Sequence, residues 1–402
     1  MKASDVPVPR TIRGALQSKH CDFWREAISK ELRSVVSNGT LQKVEKCRSS
    51  FPLKTKFVFD VKSKADGMVD RFKARLVVQG FLQQHGVNYD KTFAPVAKCE
   101  SIKTVLALSA LHGLNLRHID FETAFLNGEL VEENIFVRLP GDMNDLFKDE
   151  FTDLLGGPPA QTFQLLKAFY GLKQAGRVWN LQLVQLLIET GFVPTTADPC
   201  VYVYRRVGTL IVLAIHVDDG LIAYNNKKEL QVILDKLHKK YRLKDLGQPS
   251  KFLGCHIKQE PDGTIKLHQK LYIEEIAQRF GMINSNPTQT PYLSGLNYDK
   301  NELKSTTLEE SIRMKSYPVR ALQGCLRFAA EWTHPEILEP LGKLCKHMES
   351  PSYRLWEAGN EILRYLNSVK EEGLSYKRDG NILPEGYIDA DWAGCNDNDN
   401  DA

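Results

Sequence analysis

The sequence contains no C-x-x-C pair. Its eight cysteines (Cys21, Cys47, Cys99, Cys200, Cys255, Cys325, Cys345 and Cys395) are scattered along 402 residues. That spacing argues against a zinc site and a disulfide framework, and it points to a reducing compartment. Cys255 beside His256 and Cys345 near His347 also lack ligand spacing. Long apolar runs are missing too. The longest, Leu210 to Ile215, falls far short of the roughly 20 residues a membrane span needs. The N-terminus has no signal-peptide core, so the Asn38-Gly39-Thr40 sequon reads as incidental and the chain as intracellular and not secreted. An excess of one charge is also lacking. With 53 Lys+Arg against 50 Asp+Glu the net charge is +3, which by itself names no nucleic-acid partner.

The composition, 42% hydrophobic and 26% charged, is that of a globular protein, and the length suits two or three subdomains. Charge is uneven along the chain. Lys54 to Gly80 holds seven Lys/Arg against three Asp, and Lys227 to Lys244 holds seven against one Glu and one Asp. Either stretch could be a solvated face or a phosphate-binding one. Hydrophobic periodicity predicts an amphipathic helix over 14–36, with Phe23, Trp24, Ala27, Ile28 and Leu32 on one face. Two strands follow, "KFVFDVKS" and "RFKARLVVQGF", around an Asp66-Gly67 hairpin signal. A helix ends at Gly113, and the strand "LNLRHIDFETAFLNG" comes next. A long helix is predicted after "FYGLKQAG". Strands "CVYVYRR" and "TLIVLAIHV" flank Val207-Gly208, and a basic helix covers 227–241. Residues 281–300 read as a linker, and 317–370 as three helices, the last starting near Ser350-Pro351. The closing "NDNDNDA" reads as a disordered acidic tail.

The stretch "LIVLAIHVDDGLIAYNN" sets two carboxylates, Asp218 and Asp219, between segments that seek burial. Adjacent residues of a regular strand point to opposite faces, so both reach one cleft only at a hairpin tip. Gly220 is the residue expected to make that turn. Such a pair needs a counter-charge, for which a divalent cation is the usual choice. A solvated turn is the alternative. "RHIDFETAFLNG" offers a third carboxylate in Asp120, with Glu122 as its rival on the same strand face by the period of two. Two strands bringing Asp120 and the Asp218/Asp219 hairpin together could clamp two metal ions about 3.5–4 Å apart, as in-line phosphoryl transfer requires.

These phrases, taken in order, resemble the reverse transcriptase region of the Pol polyprotein of copia-type LTR retrotransposons. The resemblance rests on "RFKARLVVQGF", "TFAPVAK", "HIDFETAFLNGEL", "LLKAFYGLKQAGRVW", "ADPCVYV", "HVDDGLIA", "LKDLGQPSKFLG", "EILRYL" and "GYIDADWAG", in the family's order, and covers nearly everything from Ser18 to Gly394. It implies an α+β fold, the right-hand polymerase of fingers, palm and thumb, with a truncated ribonuclease H-like strand at the C-terminal end. It implies an RNA-directed DNA polymerase in which Asp120, Asp218 and Asp219 bind two Mg²⁺ ions, with Mn²⁺ as a substitute. Phe125 would exclude a ribose 2′-hydroxyl. Lys73 and Arg75 would hold the triphosphate, Tyr170 and Gly171 would lie against the nucleotide with Lys173 and Gln174 nearby, and position 216 would be primer-proximal. Partners would be an RNA or DNA template with its primer, deoxynucleoside triphosphates and the rest of the Pol polyprotein. The location would be the cytoplasm, in a virus-like particle, or the nucleus.

The chain departs from the family pattern at several places. His216 stands where tyrosine usually precedes "VDD", Gly176 replaces the proline of "KQAPRAW", and "WTHPEI" replaces "TRPDI". Asp389 matches the first carboxylate of a ribonuclease H domain, yet the sequence stops soon after, so that activity is not expected. The expected division is an N-terminal linker and helix (1–45), fingers and palm (46–283), linker, thumb and connection helices (284–380), and the start of ribonuclease H (381–402). The rival reading is a catalytically decayed remnant that still binds nucleic acid.

Overall fold

The computed structural model describes residues 1–44, 52–63, 67–130, 134–141, 143, 147, 162–298, 301–378, 385–386 and 388. In chain order the elements begin with α1 (Ile12–Leu16), α2 (Cys21–Ser37), β1 (Leu41–Lys43), β2 (Leu53–Ser63), β3 (Val69–Val78), α3 (Cys99–His112), β4 (Asn115–Phe121) and α4 (Ala124–Asn127). There follow β5 (Phe136–Arg138), β6 (Phe163–Leu165), α5 (Ala175–Thr190), β7 (Val193–Pro194), β8 (Val201–Arg206), β9 (Thr209–His216), β10 (Asp219–Tyr224) and α6 (Lys227–Lys240). The rest are β11 (Leu243–Gly247), β12 (Lys251–Phe252), β13 (Cys255–Gln259), β14 (Ile265–His268), α7 (Lys270–Arg279), α8 (Leu308–Met314), α9 (Val319–Trp332), α10 (Leu338–Cys345), α11 (Tyr353–Ser368) and β15 (Leu374–Tyr376).

Among the described residues three sheets form, ordered β1-β6-β5-β2-β3, β11-β4-β10-β9-β8-β7 and β12-β13-β14-β15. Named strands pair antiparallel except for β2 with β5. The six-stranded sheet is the centre of the molecule, and alternation along its strands serves both faces. Ile119, Phe121, Leu213, Ile215 and Ile222 pack on Trp179, Leu183 and Leu187 of α5 and on Leu230, Ile233 and Leu237 of α6. Leu116, Ala214, Leu221 and Ala223 pack on Ile102, Val105 and Leu106 of α3 and on Phe252, Ile257, Ile265 and Leu267 of the four-stranded sheet. Helices α7 to α11 close a separate core around Ile273, Leu322, Leu326, Leu341 and Ile362.

The expected helix over 14–36 is broken. Ser18 Oγ donates to the Ala15 carbonyl and accepts from the His20 backbone, which makes a local turn between α1 and α2. The face offset moves with it. Trp24, Ile28 and Leu32 are buried, but Phe23 is 54% exposed, stacked on Phe72. Residues of α1 and α2 also take part in a core. Ile12, Trp24, Ile28 and Val35 share one core with Leu53, Phe57, Leu76 and Phe163. At the other end, α11 starts after Ser352, whose hydroxyl accepts from Leu355 N at 3.2 Å, two residues later than the Ser-Pro signal indicated. Asp389 and the acidic tail lie outside the described residues.

The β2–β3 hairpin meets the loop ahead of α5 backbone to backbone. Val78 N donates to the Tyr170 carbonyl at 2.8 Å. Gly171 has φ +90, and a Cβ there would lie 2.1 Å from the Val78 carbonyl oxygen. Only glycine fits both the dihedral and the space. Gly171→Ala should therefore lower stability by roughly 2–4 kcal/mol. Gly324→Ala, in a helix and facing open space, should instead raise it by about 0.5–1 kcal/mol. Urea titration followed by circular dichroism distinguishes the two.

Candidate active site

The site forms where the apolar faces of the central sheet end. Antiparallel register sets Asp219 of β10 directly opposite Asp120 of β4 on one side and His216 of β9 on the other. Directly opposed residues project to the same face, so these three side chains stand in a row across three strands. Asp218 occupies the turn. The turn residue is Val217, with φ +63, and not Gly220. Gly220 lies inside β10, and a Cβ on it would come within 2.7 Å of Ile119 Cγ1. Its lack of a side chain serves close packing of β10 on β4. The unusual backbone at Val217 is held from outside: Trp179 Nε1 donates to the Val217 carbonyl at 2.8 Å, and Phe121 N donates to the Asp218 carbonyl at 2.9 Å. Such over-determination is what keeps a β-branched residue at positive φ.

The carboxylates act on one another. Burial first, then Asp218, Asp219 and Glu122, raise the pKa of Asp120 above the usual carboxylate range, opposed by His118. Asp218 is raised by burial and by Asp219, opposed by its own backbone N–H, Arg75 and Lys73. Glu122 is not a fourth member of the row. β4 ends at Phe121, Glu122 N bonds the Arg242 carbonyl, and the side chain is exposed, so the period of two no longer applies to it. As the side chains stand, no group of three His, Cys, Asp or Glu among the described residues is gathered tightly enough to hold a metal ion.

A second group lies beside the first. Lys73 and Arg75 project from the half-buried face of β3, opposite the core face of Ala74, Leu76 and Val78. The Arg75 guanidinium sits 5.3 Å from the centre of the Tyr170 ring. Tyr170 meets Phe125 of α4 edge-on at 5.4 Å. Burial and Glu31, with further contributions from Asp218 and Asp120, push the Tyr170 hydroxyl up to about 12, against the pull of Arg75. Phe125, Tyr170 and Arg75 thus form a continuous wall that reaches the aspartates. Lys173 turns away toward Tyr89 Oη at 3.1 Å. Gln174 is buried, donating to the Asn88 carbonyl at 2.8 Å and accepting from Gln83 at 2.9 Å, so it is scaffold. His216 Nδ1 is buried with no hydrogen-bond partner.

Sequence reasoning missed His118, whose Nε2 lies 3.1 Å from Asp219 Oδ1. It precedes Asp120 by two on β4 and shares its face, so the strand period could have found it. The missed Glu31 accepts from Leu76 N at 3.1 Å, a pairing across 45 residues that no local pattern announces.

The raised carboxyls carry a stability consequence. Asp120 and Asp218 hold protons more tightly in the folded chain than when unfolded, so metal-free stability should fall as pH rises through their titration toward neutrality. Asp218→Asn removes one charge and keeps the shape. It should raise the metal-free Tm at pH 7 by about 1–3 °C and flatten this pH dependence. If these carboxylates hold Mg²⁺, the ion at a hundred times its Kd stabilises the parent by about 2.7 kcal/mol and leaves the variant almost unmoved. Differential scanning fluorimetry with and without EDTA checks both outcomes.

Residues 38–294 match the family described as "Reverse transcriptase (RNA-dependent DNA polymerase)". The chain is 35% identical over 397 residues to the retrovirus-related Pol polyprotein from transposon TNT 1-94 of Nicotiana tabacum, covering 98% of this chain and 29% of that protein. It is 31% identical over 391 residues to the Pol polyprotein from transposon RE2 of Arabidopsis thaliana, covering 97% of this chain and 25% of that one. A putative transposon Ty5-1 protein of Saccharomyces cerevisiae is 30% identical over 281 residues, 69% of this chain and 85% of its own length. A foamy viral protease–reverse transcriptase in complex with double-stranded DNA superposes with a TM-score of 0.41 at 15% identity, over 85% of this chain and 48% of that one, a similarity too distant to locate individual residues. The chain spans between a quarter and a third of the Pol polyproteins it matches. From the family match over most of its length and these relatives, the chain belongs to the reverse transcriptase family, in its copia-type branch.

Proposed function

We propose that the chain is an RNA-directed DNA polymerase that extends a primer 3′-hydroxyl with deoxynucleotides along an RNA or DNA template. The observation that carries this reading is the register of Asp219 against Asp120 with Asp218 at the adjoining turn, next to the Phe125–Tyr170–Arg75 wall. The donor set fits hard divalent cations, since all three groups are carboxylates whose mutual repulsion a cation would relieve. Asp120, Asp218 and Asp219 would hold two Mg²⁺ ions, or Mn²⁺ in their place. When bound, such ions supply a lowered pKa at the primer hydroxyl and compensation of the triphosphate charge. Lys73 and Arg75 meet the phosphate oxygens, Arg75 as a planar donor fork and Lys73 as a point charge. Tyr170, on the backbone fixed by Gly171, forms the floor for the sugar. Phe125 fills the volume that a 2′-hydroxyl would need. His216, in the row with Asp219, faces the primer end.

In this reading the β2–β3 sheet forms the fingers, the six-stranded sheet the palm and helices α8–α11 the thumb and connection. The loop from Gly80 to Lys98 supports an unpaired template. Its first residue packs on Gly171, and Ala97 N bonds the Ile215 carbonyl, so the loop runs from one side of the site to the other. Along it Phe81 and Phe93 are about three-quarters exposed, beside Lys91, Lys173 and Arg177, a combination suited to base stacking and phosphate contact. An intracellular location, in the cytoplasm within a virus-like particle or in the nucleus, agrees with the free thiols of Cys21, Cys99, Cys200, Cys255, Cys325 and Cys345.

The second reading is a remnant that binds nucleic acid without turnover. It is favoured by His216 with its unpartnered buried nitrogen and by the absence of a gathered ion site among the described residues. Primer extension on an RNA template decides between them. The parent should extend, and Asp218→Asn should lose about three orders of magnitude or more in kcat while primer–template affinity, which rests on basic surfaces, stays within about twofold. Binding without extension by the parent would establish the remnant. In the same assay Phe125→Ala should incorporate ribonucleotides more readily, by about tenfold or more relative to deoxynucleotides, because removing the ring opens space at the 2′ position. An unchanged ratio would return Phe125 to ordinary packing.

A further inference from the structure

Among the described residues β3 is an edge strand: its ladder to β2 uses one side, and the N–H groups on its other side have no strand partner. Two of these, two residues apart, are claimed from outside the sheet. Val78 N donates to the Tyr170 carbonyl at 2.8 Å, and Leu76 N donates to Glu31 Oε1 at 3.1 Å. Glu31 comes from α2, which lies ahead of the residues matched by the family model. Just ahead of these two anchors on the same strand are the side chains that face the candidate nucleotide, Lys73 and Arg75. From this geometry we infer that Glu31 is a positioning residue for nucleotide binding: it fixes the free edge of β3 and sets the net charge beside Lys73 and Arg75.

This inference rests on the polymerase reading of the site and adds a regulatory property to it. A half-buried carboxylate next to two cations that must receive a triphosphate is unfavourable for that ligand when ionised. It is neutral to that ligand when protonated. Burial pushes the Glu31 carboxyl up to about 7, against the opposing pull of the Leu76 N–H and of Arg75 and Lys73. The charged and titratable groups acting on Glu31 are thus those two cations on β3, together with Tyr170, which stays un-ionised because burial and Glu31 itself raise it to about 12. Burial and neighbouring cations lower the pKa of Lys73, with Glu31 as the opposing influence. Sign and direction follow. As pH rises through neutrality Glu31 loses its proton, offsets one cation, and weakens triphosphate binding. An arriving triphosphate has the reverse effect and draws a proton onto Glu31. Nucleotide binding is therefore coupled to proton uptake at a carboxyl that touches neither substrate nor metal.

The test uses the full chain with a primer–template. Glu31→Gln keeps an oxygen to accept from Leu76 N but cannot ionise, whereas Glu31→Ala loses both functions. Between pH 6 and pH 8 the KM for deoxynucleotide of the parent should rise about three- to tenfold more than that of Glu31→Gln, the range expected for one added charge in a partly solvated site. The two kcat values should remain alike. Glu31→Ala should instead lose thermal stability and raise KM at every pH. A purely structural Glu31 would move Tm but leave the KM profiles of parent and Glu31→Gln parallel, and that result would overturn the inference. Equilibrium binding of inorganic tripolyphosphate over the same pH range separates this from the polymerase reading. If the parent does not extend primers but the pH-dependent difference in tripolyphosphate affinity persists, the polymerase reading fails alone. If extension is normal and the profiles are parallel, the coupling fails alone.

Discussion

The β4–β10 register puts like charges face to face, and the rest of the molecule is organised around holding them there. Asp219 opposite Asp120, with Asp218 at the next position, is a destabilising arrangement on any sheet. It persists because both faces of the sheet beneath it are anchored by fully buried apolar side chains, among them Ile119, Leu213, Leu221 and Ala223. Each large one contributes about 1.5–3 kcal/mol, so a handful outweighs the repulsion. A one-residue slip would relieve the carboxylates but turn every one of those side chains to the wrong face. Register is thereby fixed by the core, and the charges are carried along with it.

Around this centre the chain adds rigid supports from distant segments. Trp179 fixes the strained Val217 from α5. The contact between Gly171 and Val78 joins the β2–β3 sheet to the loop ahead of α5 without side chains in between. Gln83, Gln174 and the Lys173 backbone form a buried amide network that carries the exposed loop from Gly80 to Lys98. Polar groups at this depth are tolerated because each finds a partner. The site thus stands on strands and a braced turn, with the mobile-looking sequence features, glycines and polar amides, used for close packing. Under the proposed polymerase reading, such preorganisation suits chemistry whose main demand is alignment of phosphate, hydroxyl and cation.

Much of this was legible in the sequence where the signal is local. The hairpin at Val207-Gly208, the helix ended by Gly113 and the basic helix 227–240 appear as their periodicity and caps indicate. Asp120, Asp218, Asp219, Lys73, Arg75, Phe125, Tyr170 and Gly171 were selected through ordered motifs, and these residues lie near one another in the fold. What escaped depends on tertiary contact. The turn at Val217 looked like a glycine turn because propensity assigns positive φ to Gly220, but packing against Ile119 requires the glycine inside the strand. The break between α1 and α2 follows from Ser18 hydrogen bonds that compete with the helix. Glu122 was misjudged because the strand stops one residue earlier than its alternation suggested. Glu31 reads as a surface helix residue until β3 is laid beside it.

The central claim is that three carboxylates, one from β4 and two from the β9–β10 hairpin, form one divalent-ion site. Crystals of the chain with primer–template and a non-extendable nucleotide, grown in Mn²⁺, would test it most directly through anomalous scattering. The account predicts two anomalous peaks about 3.5–4 Å apart between Asp120, Asp218 and Asp219. Peaks located elsewhere, or none within coordination distance of these three side chains, would contradict it.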